Sequence, residues 1–234
     1  MKKKAIVTVA IAAIFVMVTA VFAAVLTGST FGEATPLGGG SYRLTSDASP
    51  GYGGIDYNVP VPVQFSDITR LQTLQTPESD DNCVGGSPRF QLNVDTNGDQ
   101  DADGNVFVYT QFVPGGCPGD TNDLAETGGN GEIVGTYDLS QVGGSGYTNY
   151  SAASAFFAAH PTYRIIGIQM VVDAGWAFPD GEQTITVTPT VEVNLPQPAN
   201  ANACKNGGWR TLFRADGSAF RNQGDCIQYV NTGK

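Results

Sequence analysis

Alternating apolar and polar residues recur along the chain and predict short β-strands. Phe90, Leu92 and Val94 alternate with polar residues over 89–95, and residues 183–194 repeat the pattern. Similar segments, rich in β-branched and aromatic residues, cover 42–46, 59–66, 105–112, 132–137 and 164–173. Seven such segments separated by turn residues predict an all-β fold, an antiparallel β-sandwich of jelly-roll type.

Proline and glycine divide this pattern. Pro161 ends the one predicted helix, residues 151–159, and Pro189 predicts an edge strand or a bulge within 183–194. Three glycines at 38–40 serve as a spacer before the sandwich domain, which we assign to residues 41–195. The sequence PQPANANA at 196–203 has no core-forming residue and predicts a linker to a small module at 204–234.

Composition supports this assignment and excludes other classes. The chain has 234 residues with 30 Gly and 13 Pro, and only 15% of its residues are charged. Such a composition indicates many turns and excludes a helical bundle. Because the net charge is −10, nucleic acid is not an expected partner.

The N-terminal residues predict export. Lys2, Lys3 and Lys4 precede a mostly apolar run of 22 residues, 5–26, which is long for a signal peptide and long enough to span a bilayer. Residues 1–34 are therefore a signal peptide, cleaved after Ala23 or Ala34, or a membrane anchor. If the segment stays uncleaved, residues 5–26 are the only membrane contact. Either way the remainder is extracellular or at the cell surface.

Four cysteines predict two disulfides, because exported chains meet oxidising conditions. Four cysteines allow three pairings, and we predict the local one, Cys83 with Cys117 and Cys204 with Cys226. A metal role is weak, since no CxxC occurs and the one histidine is His160.

Charge separates the tail from the rest of the chain. Residues 200–234 carry net charge +3, whereas residues 35–199 carry −15. The tail interleaves aromatic and basic residues, namely Trp209, Phe213, Phe220 and Tyr229 with Arg210, Arg214 and Arg221. They form either a patch for an anionic envelope polymer or the small core of a disulfide-pinned module, and the module is expected to be separable.

Three stretches resemble a recurrent type of exported bacterial protein. They are CVGGSPRFQLNVDTNGDQDADGNVFVY, IQMVVDAGWAFPDGEQTITV, and the ending that runs from CKNGGW to CIQYVNTGK. Together they cover about a third of the chain. The ending resembles a short cassette that follows different exported domains. The resemblance implies a secreted β-sandwich and supplies no activity.

An acidic run predicts a calcium site. Asp95, Asn97, Asp99, Asp101 and Asp103 place an oxygen ligand at every second residue between two predicted strands. Alternate oxygens on a tight turn can converge on one Ca²⁺ ion. The EF-hand pattern fails, since its sixth and twelfth positions are Gln100 and Val106. The alternative is an acidic hairpin turn in which Asn-Gly and Asp-Gly supply positive φ.

A second group of residues predicts a ligand site. Asp173, Asp180 and Glu182 flank Trp176 near the end of a predicted strand. An exposed aromatic ring beside carboxylates can stack on a sugar while the acids accept hydroxyl hydrogen bonds. The alternative is a core tryptophan, and the carboxylates could also complete a second calcium site.

Enzyme signatures are sparse. No GxSxG, HExxH, GxGxxG or GxxxxGK[ST] motif occurs, and His160 alone would have to serve any histidine chemistry. We expect a non-enzymatic exported β-sandwich, stabilised by calcium, that binds a glycan or another cell-surface partner. The alternatives are a secreted carbohydrate-active hydrolase with a carboxylate pair, or a purely structural surface or adhesion module.

Overall fold

The computed structural model describes residues 20–46, 51–77, 88–109, 136–173 and 183–234. Its strands form two antiparallel sheets, one of five strands and one of six, whose inner faces share one apolar core. The predicted all-β sandwich is confirmed.

The five-stranded sheet is organised around its longest strand. Its members are β1 (Ala20–Val25), β3 (Ala34–Gly38), β4 (Ser41–Ser46), β6 (Ile68–Pro77) and β11 (Gln183–Gln197). One side of β11 pairs with β6. The other side pairs with β4 over residues 183–187 and with β1 over residues 192–197. Two different strands therefore share one side of β11.

Pro189 lies in the interval between those two partners. The carbonyl of Val191 accepts a hydrogen bond from the N–H of Leu26, so Val191 faces the side of β1. Because alternate residues of a strand face the same side, Pro189 also faces it, at a point where neither β1 nor β4 pairs with β11. The strand is central rather than an edge, yet the missing N–H of Pro189 costs no ladder hydrogen bond.

The six-stranded sheet covers the other side of the shared core. From one edge to the other its strands are β2 (Gly28–Gly32), β5 (Gly53–Tyr57), β10 (Arg164–Val172), β7 (Arg89–Asp95), β8 (Gly104–Tyr109) and β9 (Thr136–Asp138). The predicted strand at 89–95 has the bounds of β7, and its apolar residues point inward. Its polar residues lie on the outer face of this sheet.

The core is closed at one end by an aromatic cluster. The predicted helix is present as α1 (Tyr150–Ala159), and the side chain of Asn149 caps it by accepting the N–H of Ala152. Phe157 of α1 stacks on Phe65 at a centroid distance of 4.6 Å. Phe65 belongs to a 3₁₀ helix, Phe65–Asp67, and the predicted strand at 59–66 was wrong.

Prolines explain that error. Pro60 and Pro62 cannot donate a ladder hydrogen bond, and with the described part of the chain the segment makes one isolated bridge, between Val63 and Ile165. The apolar residues of the segment nevertheless reach the core, because Val59, Val63 and Phe65 are all buried.

The first two described strands lie inside the segment predicted as a signal peptide or anchor. Ala24 and Leu26 are buried in the sandwich core. Gly28 pairs with Tyr57, and a side chain there would collide with Ile55 and Tyr57. The predicted glycine spacer is the turn between β3 and β4, where all three glycines have positive φ. The described sandwich thus begins at Ala20, ahead of the predicted boundary at residue 41.

The C-terminal residues form a small unit that also contacts the sandwich. Pro196 and Gln197, predicted as linker, pair with β1. A disulfide joins Cys204 to Cys226 as predicted, and it ties a turn to α2 (Gln223–Thr232). Cys83 and Cys117 lie outside the described residues, so their predicted pairing stays a prediction.

Two apolar clusters divide the tail. Leu212 and Phe220 pack with the disulfide in a core of their own. Phe213 instead belongs to the sandwich core, and its N–H donates to the carbonyl of Pro196 over 2.8 Å. Gly217 lies against Leu26 of the sandwich. The tail is therefore joined to the sandwich by packing as well as by the chain.

Among the residues that the structure describes, no helix is both long and apolar enough to cross a membrane.

Candidate functional site

The outer face of the six-stranded sheet carries two rows of side chains that cross all six strands. The strand registers define both rows. From β2 to β9 the first row is Ser29, Asp56, Gln169, Gln91, Phe107 and Asp138. The second row is Phe31, Gly54, Val171, Arg89, Tyr109 and Thr136. Polar groups thus lie in the middle of the face, and aromatic rings lie toward both edges.

A hydrogen-bonded ladder occupies the centre of the first row. The Nε2 atom of Gln91 donates to Oε1 of Gln169 over 3.0 Å, and Nε2 of Gln169 donates to Oδ1 of Asp56 over 3.2 Å. These bonds fix the orientation of both amides. No described residue donates to Oε1 of Gln91, and Asp56 is exposed. The ladder therefore presents acceptor oxygens to the solvent in a fixed order.

Arg89 is the charged residue of the second row. Only 9% of its side chain is exposed, its guanidinium lies 4.7 Å from the ring centroid of Phe107, and its Nη2 donates to Oδ2 of Asp173 over 2.5 Å. Its Nε and Nη1 atoms find no acceptor among the described residues. A buried guanidinium needs both charge compensation and hydrogen-bond acceptors. Asp173 supplies the charge, and the ring of Phe107 covers one side.

Aromatic rings end the face on both sides. On the β8 side, Tyr109 and the exposed ring of Tyr147 lie 5.8 Å apart, and burial raises the pKa of Tyr109 while the nearby Arg89 opposes that shift. On the β2 side, the ring of Phe31 covers Gly54 and lies 6.4 Å from Tyr52. Four strand spacings separate Phe31 from the β8 rings, which is roughly 19 Å.

The predicted ligand residues meet this face at one described position. Asp173 directly follows β10 and makes the ion pair with Arg89. Trp176, Asp180 and Glu182 lie outside the described residues. The predicted ligand site therefore stays a prediction, and the described structure adds other residues beside Asp173.

Sequence patterns indicate these outer-face residues only in part. The alternation of β7 places Gln91 and Asn93 on a polar face. Asp56 and Gln169 were not singled out, because their place beside Gln91 depends on the pairing of strands distant in sequence. Arg89 was missed because a charged residue at the start of a strand is normally solvated.

The acidic run forms the turn between β7 and β8. Asp95 is 1% exposed, and its carboxylate accepts the N–H groups of Asn97, Gly98 and Gln100 over 2.6 to 3.0 Å. These bonds, led by that of Gly98, hold the pKa of Asp95 below its usual value. Positive φ values occur at Gly98 and Gln100.

Three of the other predicted calcium ligands, Asn97, Asp99 and Asp103, also accept hydrogen bonds within the turn. The carboxylate of Asp103 accepts the N–H and hydroxyl of Thr96 and the side-chain amide of Asn97. Asn97 in turn accepts the N–H of Asp99, and Asp99 accepts the N–H of Asp101. No group of three His, Cys, Asp or Glu side chains in the described residues is arranged to hold a metal ion. This geometry favours the acidic-turn interpretation, and calcium binding stays a prediction.

Two crevices flank α1 and share His160. The first, of about 200 Å³, is lined by Gln64, Phe65, Ser66, Ser154, Phe157, Ala158, His160, Pro161 and Tyr163. The imidazole contacts the rings of Phe156 and Tyr163, and its Nδ1 atom is 2.8 Å from the carbonyl oxygen of Phe156. That bond makes Nδ1 the donor. None of the described lining residues is acidic, so this crevice lacks the carboxylate that would orient a catalytic histidine.

The predicted basic aromatic patch is divided between interior and surface. Arg214 is largely buried, donates to Asp225 over 2.6 Å and lies 4.6 Å from the ring centroid of Phe220. Arg221 is 85% exposed on its side chain, and Arg210 lies beside Trp209. Arg214 therefore stabilises the module itself, which supports the small-core interpretation for that arginine.

Comparison with protein-family models, curated proteins and solved structures finds no match to the chain.

Proposed function

We propose that the protein is an exported, non-enzymatic β-sandwich that binds a glycan across the outer face of its six-stranded sheet. The observation that carries this proposal is the Gln91, Gln169 and Asp56 ladder beside Phe107. Sugars offer hydroxyl groups around an apolar ring face. Planar amide and carboxylate acceptors beside aromatic rings match both features.

Order within the ladder supports binding of a defined ligand. Each amide is held by its neighbour, so little side-chain entropy is lost when a ligand arrives. The aromatic groups at the two ends, Phe31 with Tyr52 and Tyr109 with Tyr147, are separated by most of the sheet width. That separation favours an oligosaccharide that crosses the strands over a single sugar.

Each described carboxylate of this face already has a partner, and none is paired with a second carboxylate, which favours binding over hydrolysis. Asp56 accepts the amide of Gln169, Asp173 pairs with Arg89, and Asp138 accepts the N–H of Ser140. A glycosidase needs two carboxyl groups that flank the scissile bond, one of them able to donate a proton. None of these three carboxylates is positioned by a second one through a described contact.

The test is a glycan array with a chain that begins at Ala20, followed by calorimetry with the best ligand. Replacing Gln91 by Ala should weaken binding about tenfold or more, because the ladder loses its terminal acceptor. The matched control is Gln72→Ala, since Gln72 lies on the outer face of the opposite sheet. Equal affinities for the two variants, or no array ligand, would contradict the proposal. Release of new reducing ends would indicate a hydrolase instead.

A further inference from the structure

The first of the two crevices beside α1 has a fixed aromatic wall. This α1 crevice lies between α1 and the 3₁₀ helix and has a volume of about 200 Å³. Two of its lining rings, Phe65 and Phe157, are buried and stacked, with a centroid distance of 4.6 Å and an angle of 7° between their planes. Because both rings belong to the sandwich core, we expect the crevice to be formed before any ligand arrives.

Four polar groups of residues that line the α1 crevice have no described partner. The hydroxyl groups of Ser66, Ser154 and Tyr163 make no hydrogen bond to a described residue. The Nδ1 atom of His160 donates to the carbonyl of Phe156, so Nε2 of the neutral ring is an acceptor, and no described residue donates to it. Three hydroxyl groups and one acceptor nitrogen are thus free to meet a ligand.

The imidazole of His160 is held by several contacts. His160 ends α1, and its backbone N–H donates to the carbonyl of Phe157 over 3.0 Å. The centroid of its ring lies 4.3 Å from that of Phe156 and 4.8 Å from that of Tyr163. A ring that is already held in one orientation loses little side-chain entropy when a ligand binds to it.

The lining of the α1 crevice disfavours a charged ligand and a long one. No Asp, Glu, Lys or Arg is among the described residues that line it, so an ion would lose its hydration without gaining a countercharge. Its 200 Å³ equal roughly seven water molecules at about 30 Å³ each. That volume suits a single ring rather than a chain of several sugars.

A purely apolar ligand is disfavoured as well. A hydrocarbon would contact Phe65 and Phe157, but it would displace water from the hydroxyl groups and from Nε2 without replacing the hydrogen bonds of that water. A sugar ring has hydroxyl groups around an apolar face, and it therefore satisfies both kinds of lining.

We propose that the α1 crevice binds one neutral sugar residue, one hydroxyl group of which donates to Nε2 of His160. The aromatic lining takes the apolar face of the sugar, and the hydroxyl groups of the lining exchange hydrogen bonds with the others. This site shares no residue with the outer face of the six-stranded sheet, so it goes beyond the proposed function.

The test uses the single histidine of the chain. Labelling with ¹⁵N-histidine gives ring signals from His160 alone, because no other histidine occurs. The full chain, purified without a histidine tag, is titrated at a fixed, mildly alkaline pH with the methyl glycosides of glucose, galactose, mannose and N-acetylglucosamine. At least one of them should shift the Nε2 signal to saturation. The proposal is overturned if none does, or if a glycoside binds and leaves Nε2 unshifted.

Charged and apolar probes test the ligand class. Glucuronate carries a carboxylate on a sugar ring of similar size, and cyclohexanol is a ring with one hydroxyl group. Both should bind at least tenfold more weakly than the best neutral glycoside, for the reasons of charge and hydrogen bonding given by the lining. Equal binding of either probe would contradict the assignment to a neutral sugar.

Two alanines of α1 supply matched variants. Ala158 is exposed and lines the α1 crevice, so Ala158→Leu should fill part of it and weaken glycoside binding at least tenfold. Ala159→Leu is the control, because Ala159 is exposed on the same turn but lines neither crevice. Equal affinities of these two variants would overturn the proposal. Gln91→Ala should leave the His160 response unchanged, so this site and the outer-face site fail separately.

Discussion

The two ends of the described chain join the sandwich in different ways. The N-terminal strands β1 and β2 pair with both sheets through their backbones, and Ala24 and Leu26 lie in the core. The C-terminal module has its own core and disulfide, and it adds Phe213 to the sandwich. The N-terminal segment, which the sequence predicts as a signal peptide or anchor, thus contributes strands to both sheets. The positively charged C-terminal module instead contacts the sandwich at one surface.

Removal of residues 1–34 should have the largest effect on this comparison. A chain that begins at Thr35 lacks β1 and β2, and we expect it to lose the cooperative unfolding transition, because both sheets lose an antiparallel partner of β11 or β5. A chain begun at Val21 is the control and should melt cooperatively in calorimetry. Equal melting temperatures would show that the N-terminal strands are dispensable.

Phe213 and Phe220 should distinguish the two cores of the tail. Phe213→Ala leaves a cavity in the sandwich core and should lower its free energy of unfolding by about 3 to 5 kcal/mol. Phe220→Ala acts inside the module. Hydrogen exchange should therefore lose protection in the sandwich strands only for Phe213→Ala. Loss of strand protection in both variants would mean that the two cores unfold as one.

Loss of the tail disulfide should have a moderate effect limited to the module. The bridge spans 22 positions, so replacing Cys204 and Cys226 by Ala should lower the stability of the module by about 3 kcal/mol. Exchange in α2 should rise, while that in the sandwich strands changes little. Melting of the sandwich at a much lower temperature would instead show that the module supports the sandwich as a whole.

Acid should weaken the C-terminal module and the β7–β8 turn locally. The N–H of Arg221, with the guanidinium of Arg214, keeps the pKa of Asp225 below its usual value, and amide N–H groups do the same for Asp95. A lowered folded pKa contributes stability above the usual value of about 3.8, and that stability is lost as the pH falls through the folded value. Asp225→Asn should reduce the acid sensitivity of exchange in α2, and Asp95→Asn that of the β7–β8 turn. Exchange that responds equally to acid in wild type and variants would contradict this.

Calcium should have the smallest effect. The side-chain oxygens of Asp95, Asn97, Asp99 and Asp103 already accept hydrogen bonds from the β7–β8 turn itself. We therefore expect the same melting temperature in EDTA and in several millimolar calcium. A reproducible rise with calcium, abolished in Asp99→Asn, would restore the predicted calcium site, because an ion that binds only the folded state raises its stability. Asp101→Asn should be nearly silent, since Asp101 is exposed.

Local patterns predicted the strands whose faces differ most in polarity. The strands β7, β10 and β11 have one polar and one buried face, and their predicted bounds differ from the observed ones by at most a few residues. β1 and β2 were missed because an apolar run after lysines has the composition of a signal peptide. α2 was missed although Asn222 and Gly233 supply its two caps, because its sequence has little apolar periodicity.

The candidate site could be predicted only in part, because it is assembled across strands. Gln91 is adjacent to Gln169 through pairing of β7 with β10, and no pattern within either strand reports that register. The acidic turn shows a different limit of sequence-based prediction, because its pattern was visible but fits two structures. Its spacing of oxygens was evident in sequence, but the same spacing suits a chain of side-chain to backbone hydrogen bonds as well as an ion.

The pairing of β1 with β11 also has a consequence for the order of folding. Ala20 pairs with Gln197. The ladder of β1, the first described strand to be synthesised, can therefore form only after β11, the last described strand, has been synthesised. Pairings of such high contact order slow the folding of β-proteins. The described residues of β1 therefore have no ladder partner on β11 until almost the whole sandwich has been synthesised.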